Sequence, residues 1–256
     1  MQPIRFATPP RAPGLAEPVY EALKSRIMAI DVYAPDAPRR MDERGLAEQL
    51  GTSRTPVRAA LGRLEQEGFV ETLPRRGVFI RQKSLAEVRQ MLEMWAALEA
   101  AAARMACARA SEAEVDALAA HLATAPAGRL SEYSEGNIRF HRAVLALSGN
   151  PLMIEAGDGL IAHLAAVRRR AAAEPARTER SMIDHGAIVG AIRRREPDVA
   201  ARSVEAHTAR LVAWLSRNWA TLTGNPQALS AEGPGALAAE GACGGSGSGA
   251  SGPHAG

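Results

Sequence analysis

Apolar residues recur at helical spacing along most of this chain, and short apolar runs replace that pattern in one place only. Val19, Leu23, Ile27 and Ile30 share one face of a helix predicted over Glu17–Ile30. Pro35 and Pro38 break the following stretch, Asp31 to Arg40, because proline removes a backbone donor and clashes with the preceding turn. A second helix follows Met41 and Asp42, with Asp42 as N-cap and Leu46, Ala47 and Leu50 on its inward face. Gly51 supplies the positive φ of a tight turn. Ser53 is expected to cap a third helix, Pro56 sits in its first turn, and Val57 and Leu61 face back onto the second. Gly68 ends it. Phe69–Leu73 and Val78–Ile80 then read as two short strands around the turn Pro74-Arg75-Arg76-Gly77.

After residue 81 no stretch resembles a strand. Ser84 is expected to cap a long helix to about Arg109, whose stripe holds Leu85, Val88, Met91, Leu92, Trp95, Leu98 and Met105. Ser111 and Glu114 form a capping box for the next helix, through Leu122. A loop at 124–128 leads to helices at Ser131–Ser148, Leu152–Ala173, Thr178–Arg195 and Asp198 to about Leu222. The pattern predicts a mainly α protein: a flexible arm at 1–15, a winged helix-turn-helix domain at 16–82, an all-α antiparallel bundle at 83–222, and a disordered Gly/Ala/Ser-rich tail at 223–256.

Composition agrees with a helical reading, since aromatics are 4% of the chain while hydrophobic residues are 46%. The net charge of +3 is compatible with nucleic acid without demanding it. Cys107 and Cys243 are too far apart in pattern to suggest a disulfide framework, which suits a reducing cytoplasm. The Pro-rich start lacks an apolar run, so neither a signal peptide nor a membrane span is expected.

Chemistry concentrates at two places. At the third helix, Ser53, Arg54, Thr55 and Arg58 form a polar face at its N-terminus, with Arg44 on the helix before it. Arginine pairs with guanine O6 and N7 through two parallel hydrogen bonds, and a helix N-terminus favours phosphate oxygens. Arg76 and Gly77 in the hairpin turn would lie near phosphates or the minor groove. An ordinary surface helix with solvated arginines fits the charges alone, but not the turn, spacing and hairpin together. The run Arg44 to Leu61 resembles the DNA-binding signature of the GntR family of bacterial transcription regulators, over roughly residues 17–81. That resemblance implies DNA contacts at Arg44, Arg54, Thr55 and Arg58, and a wing glycine at Gly77. The sequence departs from the family at Ala59, where a Glu is usual, and at Asp31–Arg40, where the family has a Pro-Gly turn.

The second place is in the bundle. His141, His185 and His207 fall on three different predicted helices, each among apolar neighbours. Three inward imidazoles can share a divalent metal, and Asn137, one turn before His141, can add a carbonyl oxygen. Three separate core histidines satisfied by their neighbours fit the same spacing. Phe140-His141-Arg142, Ser148-Gly149-Asn150-Pro151 and the Asp184-His185 to His207 interval resemble the FCD effector domain of the FadR-type branch of that family. The resemblance implies a zinc, nickel or manganese ion on Asn137, His141, His185 and His207, with Asn137 in place of the usual Asp. Trp95 stands where many members carry an arginine. His163 and His121 read as structural or surface residues, and Arg168–Arg170 and Arg193–Arg195 as solvated faces or helix C-terminal charges.

Together these readings describe a cytoplasmic, homodimeric regulator, more a repressor than an activator. It would bind an inverted-repeat operator in double-stranded DNA and answer to a small organic acid. A metal-dependent hydrolase using the histidines is the rival from another class, although no general base is evident beside them. An effector-free architectural DNA-binding dimer is the other.

Overall fold

The computed structural model describes residues 16–123 and 130–224. The expected N-terminal arm, the loop at 124–128 and the Gly-rich tail beyond Gly224 lie outside the described residues, while Thr223 and Gly224 belong to the end of the last helix.

Helix α1 (Ala16–Ala29) is followed by β1 (Arg40–Met41), α2 (Glu43–Gln49), α3 (Arg54–Gln66), β2 (Val70–Leu73) and β3 (Gly77–Ile80). The Asp42 side chain caps α2 by accepting from the Gly45 N–H, as its sequence position predicts. Gly51 takes φ 61° in the turn to α3, and Gly68 takes φ 77° at the exit. Three details differ from the sequence reading. Ser53 holds the N-cap position of α3, but its side chain makes no capping hydrogen bond. Leu50 is exposed: it caps the C-terminus of the short helix α2, its N–H still bonded to the Leu46 carbonyl, and the chain turns at Gly51 directly after it. The wing is a three-stranded sheet of order β1-β3-β2, since Arg40 and Met41 pair antiparallel with Phe79 and Val78. The β2–β3 hairpin pairs Val70 with Ile80 and Leu73 with Gly77.

The bundle comprises α4 (Leu85–Arg109), α5 (Glu112–Ala123), α6 (Leu130–Leu147), α7 (Pro151–Ala172), α8 (Pro175–Arg193) and α9 (Pro197–Thr223). The capping box at Ser84 and Glu87 is complete, and Ser111 and Glu114 exchange the same pair of bonds at the start of α5. Asn150 caps α7 by accepting from the Leu152 N–H. Helix α8 begins at Pro175, three residues ahead of expectation, because proline is well suited to a first helical turn.

One hydrophobic cluster spans the two domains. Val57, Leu61 and Leu64 of α3 pack with Val19, Leu23 and Ile27 of α1, and the same cluster continues through Val88, Leu92, Leu164, Val167, Leu211, Leu215 and Trp219. Polar contacts reinforce it. His163 of α7 stacks on Phe69 with ring centroids 4.1 Å apart, and the Tyr33 hydroxyl donates to the Lys83 carbonyl at 3.1 Å. In the run Arg168–Arg170, Arg169 and Arg170 stand in the last turn of α7 as expected, but the three side chains do not share a solvated face. Arg168 is buried, its guanidinium 5.1 Å from the Trp95 ring. Arg169 donates to the Ile30 carbonyl at 3.0 Å, and Arg170 donates to both Asp31 oxygens at 2.8 and 2.9 Å. Successive residues of a helix point about 100° apart, so one run can serve the bundle core and the other domain together.

Candidate DNA-binding face and buried histidine cluster

Arg44, Ser53, Arg54, Thr55, Arg58, Arg76 and Gly77 are all exposed. Burial of Val57, Ala60, Leu61 and Leu64 fixes the inward face of α3 and turns Arg54, Thr55 and Arg58 outward. Arg54 is the first residue of the helix and Arg58 lies one turn on, so the two guanidiniums leave the same side. Glu43, the first residue of α2, accepts from Arg54 Nη2 at 3.3 Å and from Arg58 Nη2 at 2.9 Å. The Arg58 hydrogen bond is the main reason the Glu43 carboxyl lies below its ordinary pKa. Arg44 pairs along its own helix with Glu48 at 3.1 Å. In the wing turn Arg75 holds φ 60° and Gly77 φ 101°, and the Arg76 guanidinium sits 5.7 Å from the Phe79 ring. The Thr72 N–H donates to Glu65 of α3 at 2.8 Å, tying the wing to the helix beside it.

In the bundle, α6, α8 and α9 bring His141, His185 and His207 together, each buried, with one ligand atom from each within 4.8 Å of the others. Phe140 stacks on His185 at 4.1 Å and Trp95 stands edge-on to His141 at 5.6 Å. Two carboxylates orient two of the rings. Glu99, fully buried on α4, accepts from Trp95 Nε1 at 2.7 Å and contacts His141 Nδ1 at 2.5 Å. Asp184 on α8 contacts His207 Nδ1 at 3.4 Å and accepts from Arg210 Nε at 2.7 Å.

Burial pushes the His141 pKa down to about 4 and takes His185 well below the ordinary value, so both rings are neutral at pH 7. Burial alone would raise Glu99 and Asp184; instead His141 holds Glu99 below its usual range, and His207 with Arg210 holds Asp184 at about 2. A neutral ring that gives its Nδ1 hydrogen to a carboxylate presents a lone pair on Nε2. His141 Nε2 is buried and makes no hydrogen bond. That orphaned atom and the two carboxylate-backed imidazoles fit a divalent cation that prefers nitrogen ligands. Asn137 lies one turn before His141 on α6 and is half-buried.

Sequence reasoning named the three histidines but gave no role to Glu99 or Glu43, and it found no carboxylate paired with the cluster. A signal for Glu99 was present, since Val88, Leu92, Trp95 and Glu99 follow one helical face.

An exposed basic helix on a three-stranded winged domain, joined to a helical bundle with a buried polar centre, is the architecture of a DNA-binding protein with a second domain. Comparison with known proteins gives the family. The model for bacterial regulatory proteins of the gntR family matches residues 15–80, and the FCD domain model matches residues 90–210. An uncharacterized HTH-type transcriptional regulator of Agrobacterium vitis is 35% identical over 140 residues, covering 52% of this chain and 80% of that protein. The HTH-type transcriptional repressor RspR of Escherichia coli K12 is 25% identical, over 74% of this chain and 83% of its own. Among solved structures, E. coli McbR/YncC matches with a TM-score of 0.63 at 19% identity, covering 80% of this chain and 99% of that one, which speaks for the fold. The chain belongs to the GntR family and carries the FCD domain. It is a DNA-binding transcriptional regulator and not an enzyme, so the hydrolase reading of the histidines is set aside. Among the described residues no helix is long and apolar enough to cross a membrane.

Proposed function

We propose that this regulator is a cytoplasmic, homodimeric repressor that binds an inverted repeat in double-stranded DNA and is controlled by a small organic acid at a divalent metal in its bundle. Two copies of α3 enter successive major grooves, with Arg54, Thr55 and Arg58 toward bases, and with Arg44, Ser53, Arg76 and Gly77 toward the backbone. A two-fold protein suits a two-fold site. His141, His185 and His207 hold the metal, zinc, nickel or manganese, with Asn137 as an oxygen ligand in place of a carboxylate. When bound, the metal supplies a Lewis-acidic site for an effector carboxylate. Glu99 and Asp184 hold the His141 and His207 rings in the Nδ1–H form, so the ligand lone pairs are set before the metal arrives.

The observation that carries the metal reading is His141 Nε2, a buried nitrogen without a hydrogen-bond partner beside two other buried imidazoles. Elemental analysis of the purified protein tests it, with His185→Ala for comparison. A metal stoichiometry near one per chain that falls in the variant supports the site. A wild type that takes up no zinc, nickel or manganese on equilibrium dialysis removes it. Thermal-shift screening of organic acids with and without metal tests the effector. Arg54→Ala tests the DNA face: operator binding falls strongly while the dimer stays folded, and unchanged affinity in an anisotropy titration would sink the assignment.

A further inference from the structure

Two base-reading arginines on one helix pose a physical difficulty. Free guanidiniums on flexible stems are attracted to any phosphate, whatever the sequence. In this protein they are not free. Glu43 Oε2 accepts from Arg54 Nη2 at 3.3 Å and from Arg58 Nη2 at 2.9 Å, and Arg58 Nε lies 3.4 and 3.3 Å from the two Glu43 oxygens. The arginine side chains are 61% and 66% exposed, while that of Glu43 is 25% exposed. The carboxylate therefore sits behind the two cations, between α2 and the outer face of α3.

The direction of approach matters. Glu43 engages Arg58 along its Nε–Nη2 edge. A guanidinium has a second edge, Nη1 with the other Nη2 hydrogen, which carries two parallel donors. That edge matches O6 and N7 of guanine. Holding the inner edge restricts the torsions of the Arg58 stem and leaves the outer edge for a base. The charge matters as well, because one carboxylate shared by two guanidiniums cuts their combined charge from two to one.

We propose that Glu43 is a specificity-determining positioning residue, which braces Arg54 and Arg58 for base contact and lowers their attraction to phosphate. It stays on the arginines in the operator complex and does not itself touch DNA. The proposal rests on the assignment of Arg54 and Arg58 as base readers, and its test keeps the two apart.

The experiment uses the full chain and two fluorescent duplexes, one selected by the wild type from a random pool and one scrambled duplex of the same length and composition. Affinity for each is measured by anisotropy across a salt series, for the wild type, Glu43→Gln, Glu43→Asp and Arg58→Ala. In Glu43→Gln, scrambled-duplex affinity rises several-fold and the slope of log K against log salt steepens by about one. The ratio of selected to scrambled affinity falls about tenfold, the scale of one lost bidentate base contact. Glu43→Asp keeps the charge but loses reach, so its salt slope stays near wild type while the ratio still falls. If Glu43→Gln raises both affinities equally, Glu43 is a competitor displaced by DNA, and the bracing role is overturned. If it changes thermal stability alone, the contact is structural and the proposal fails. If Arg58→Ala leaves the affinity ratio at the wild-type value, the base-reading assignment itself falls, whatever Glu43 does.

Discussion

Replacing Glu99 by Gln probes the centre of the bundle while conserving its volume. The carboxylate has no exposure to solvent and serves two donors, Trp95 Nε1 on one oxygen and His141 Nδ1 on the other. The amide of Gln offers one accepting oxygen, so one donor loses its partner at about 1–3 kcal/mol. The change also removes a buried negative charge near Arg168, whose guanidinium acts on Glu99 and both neighbouring histidines. The lost hydrogen bond to a fully buried acceptor sets the scale, and a loss of about 3 kcal/mol is expected, at the upper end of that range. For a protein of this size that is a fall of roughly 6–12 °C in Tm.

His141 has one route of relief. Moving its proton to Nε2 would let Nδ1 accept from the Gln amide, but it would take away the lone pair that a metal needs. A small stability loss must therefore come with weaker metal binding, by about 10–100-fold for loss of an orienting partner. Calorimetry gives the first quantity and zinc titration the second. A Glu99→Gln protein that loses less than about 1 kcal/mol and keeps wild-type zinc affinity would refute both the charge argument and the tautomer argument.

Further outcomes follow from local geometry. A Cβ built on Gly157 meets Leu145 Cδ1 at 2.2 Å, whereas one on Gly159 of the same helix meets nothing within 4 Å. Gly157→Ala is therefore expected to destabilise by about 1–2 kcal/mol net of its helix-propensity gain, and Gly159→Ala to stabilise by up to about 1 kcal/mol, read from urea unfolding. Burial holds His163 at about 4, below the 6.5 of an exposed imidazole, so the unfolded chain takes up its proton first as pH falls. Its contribution is complete above pH 6.5 and drains away toward pH 4, and His163→Leu should flatten the stability profile in that window. The Asp31–Arg170 pair is partly exposed, so a double-mutant cycle should give no more than about 1 kcal/mol of coupling, at the loosest in high salt.

How much could be read from sequence depended on how local each cause was. Helix starts marked by Asp42, Ser84 and Ser111 were legible because a cap and its partner lie within a few residues. The second strand pair was not, since Arg40 and Met41 owe their strand geometry to Phe79 and Val78, nearly forty residues later. The three histidines stood out as polar residues on apolar stripes. Glu99 lay on an equally clear stripe, but a single acid in an Ala-rich helix carries no local sign of burial, and only the Trp95 and His141 contacts reveal it. Arg169 and Arg170 do stand in the last turn of α7, but the solvated-face reading of the run failed because charge runs are usually solvated and the partners of these three residues belong to other parts of the chain.

That arginine run constrains how the gene can change. Substituting Arg169 or Arg170 removes one clamp on the α1 exit and leaves its neighbours standing. Inserting or deleting a single residue in α7 ahead of Arg168 rotates all three side chains by about 100° and shifts them 1.5 Å along the axis. The cation over Trp95 and both clamps on Ile30 and Asp31 are then lost together. Helix α7 should accordingly tolerate point changes at these positions while keeping an invariant length between Asn150 and Arg170, so that in related sequences gaps fall outside this segment.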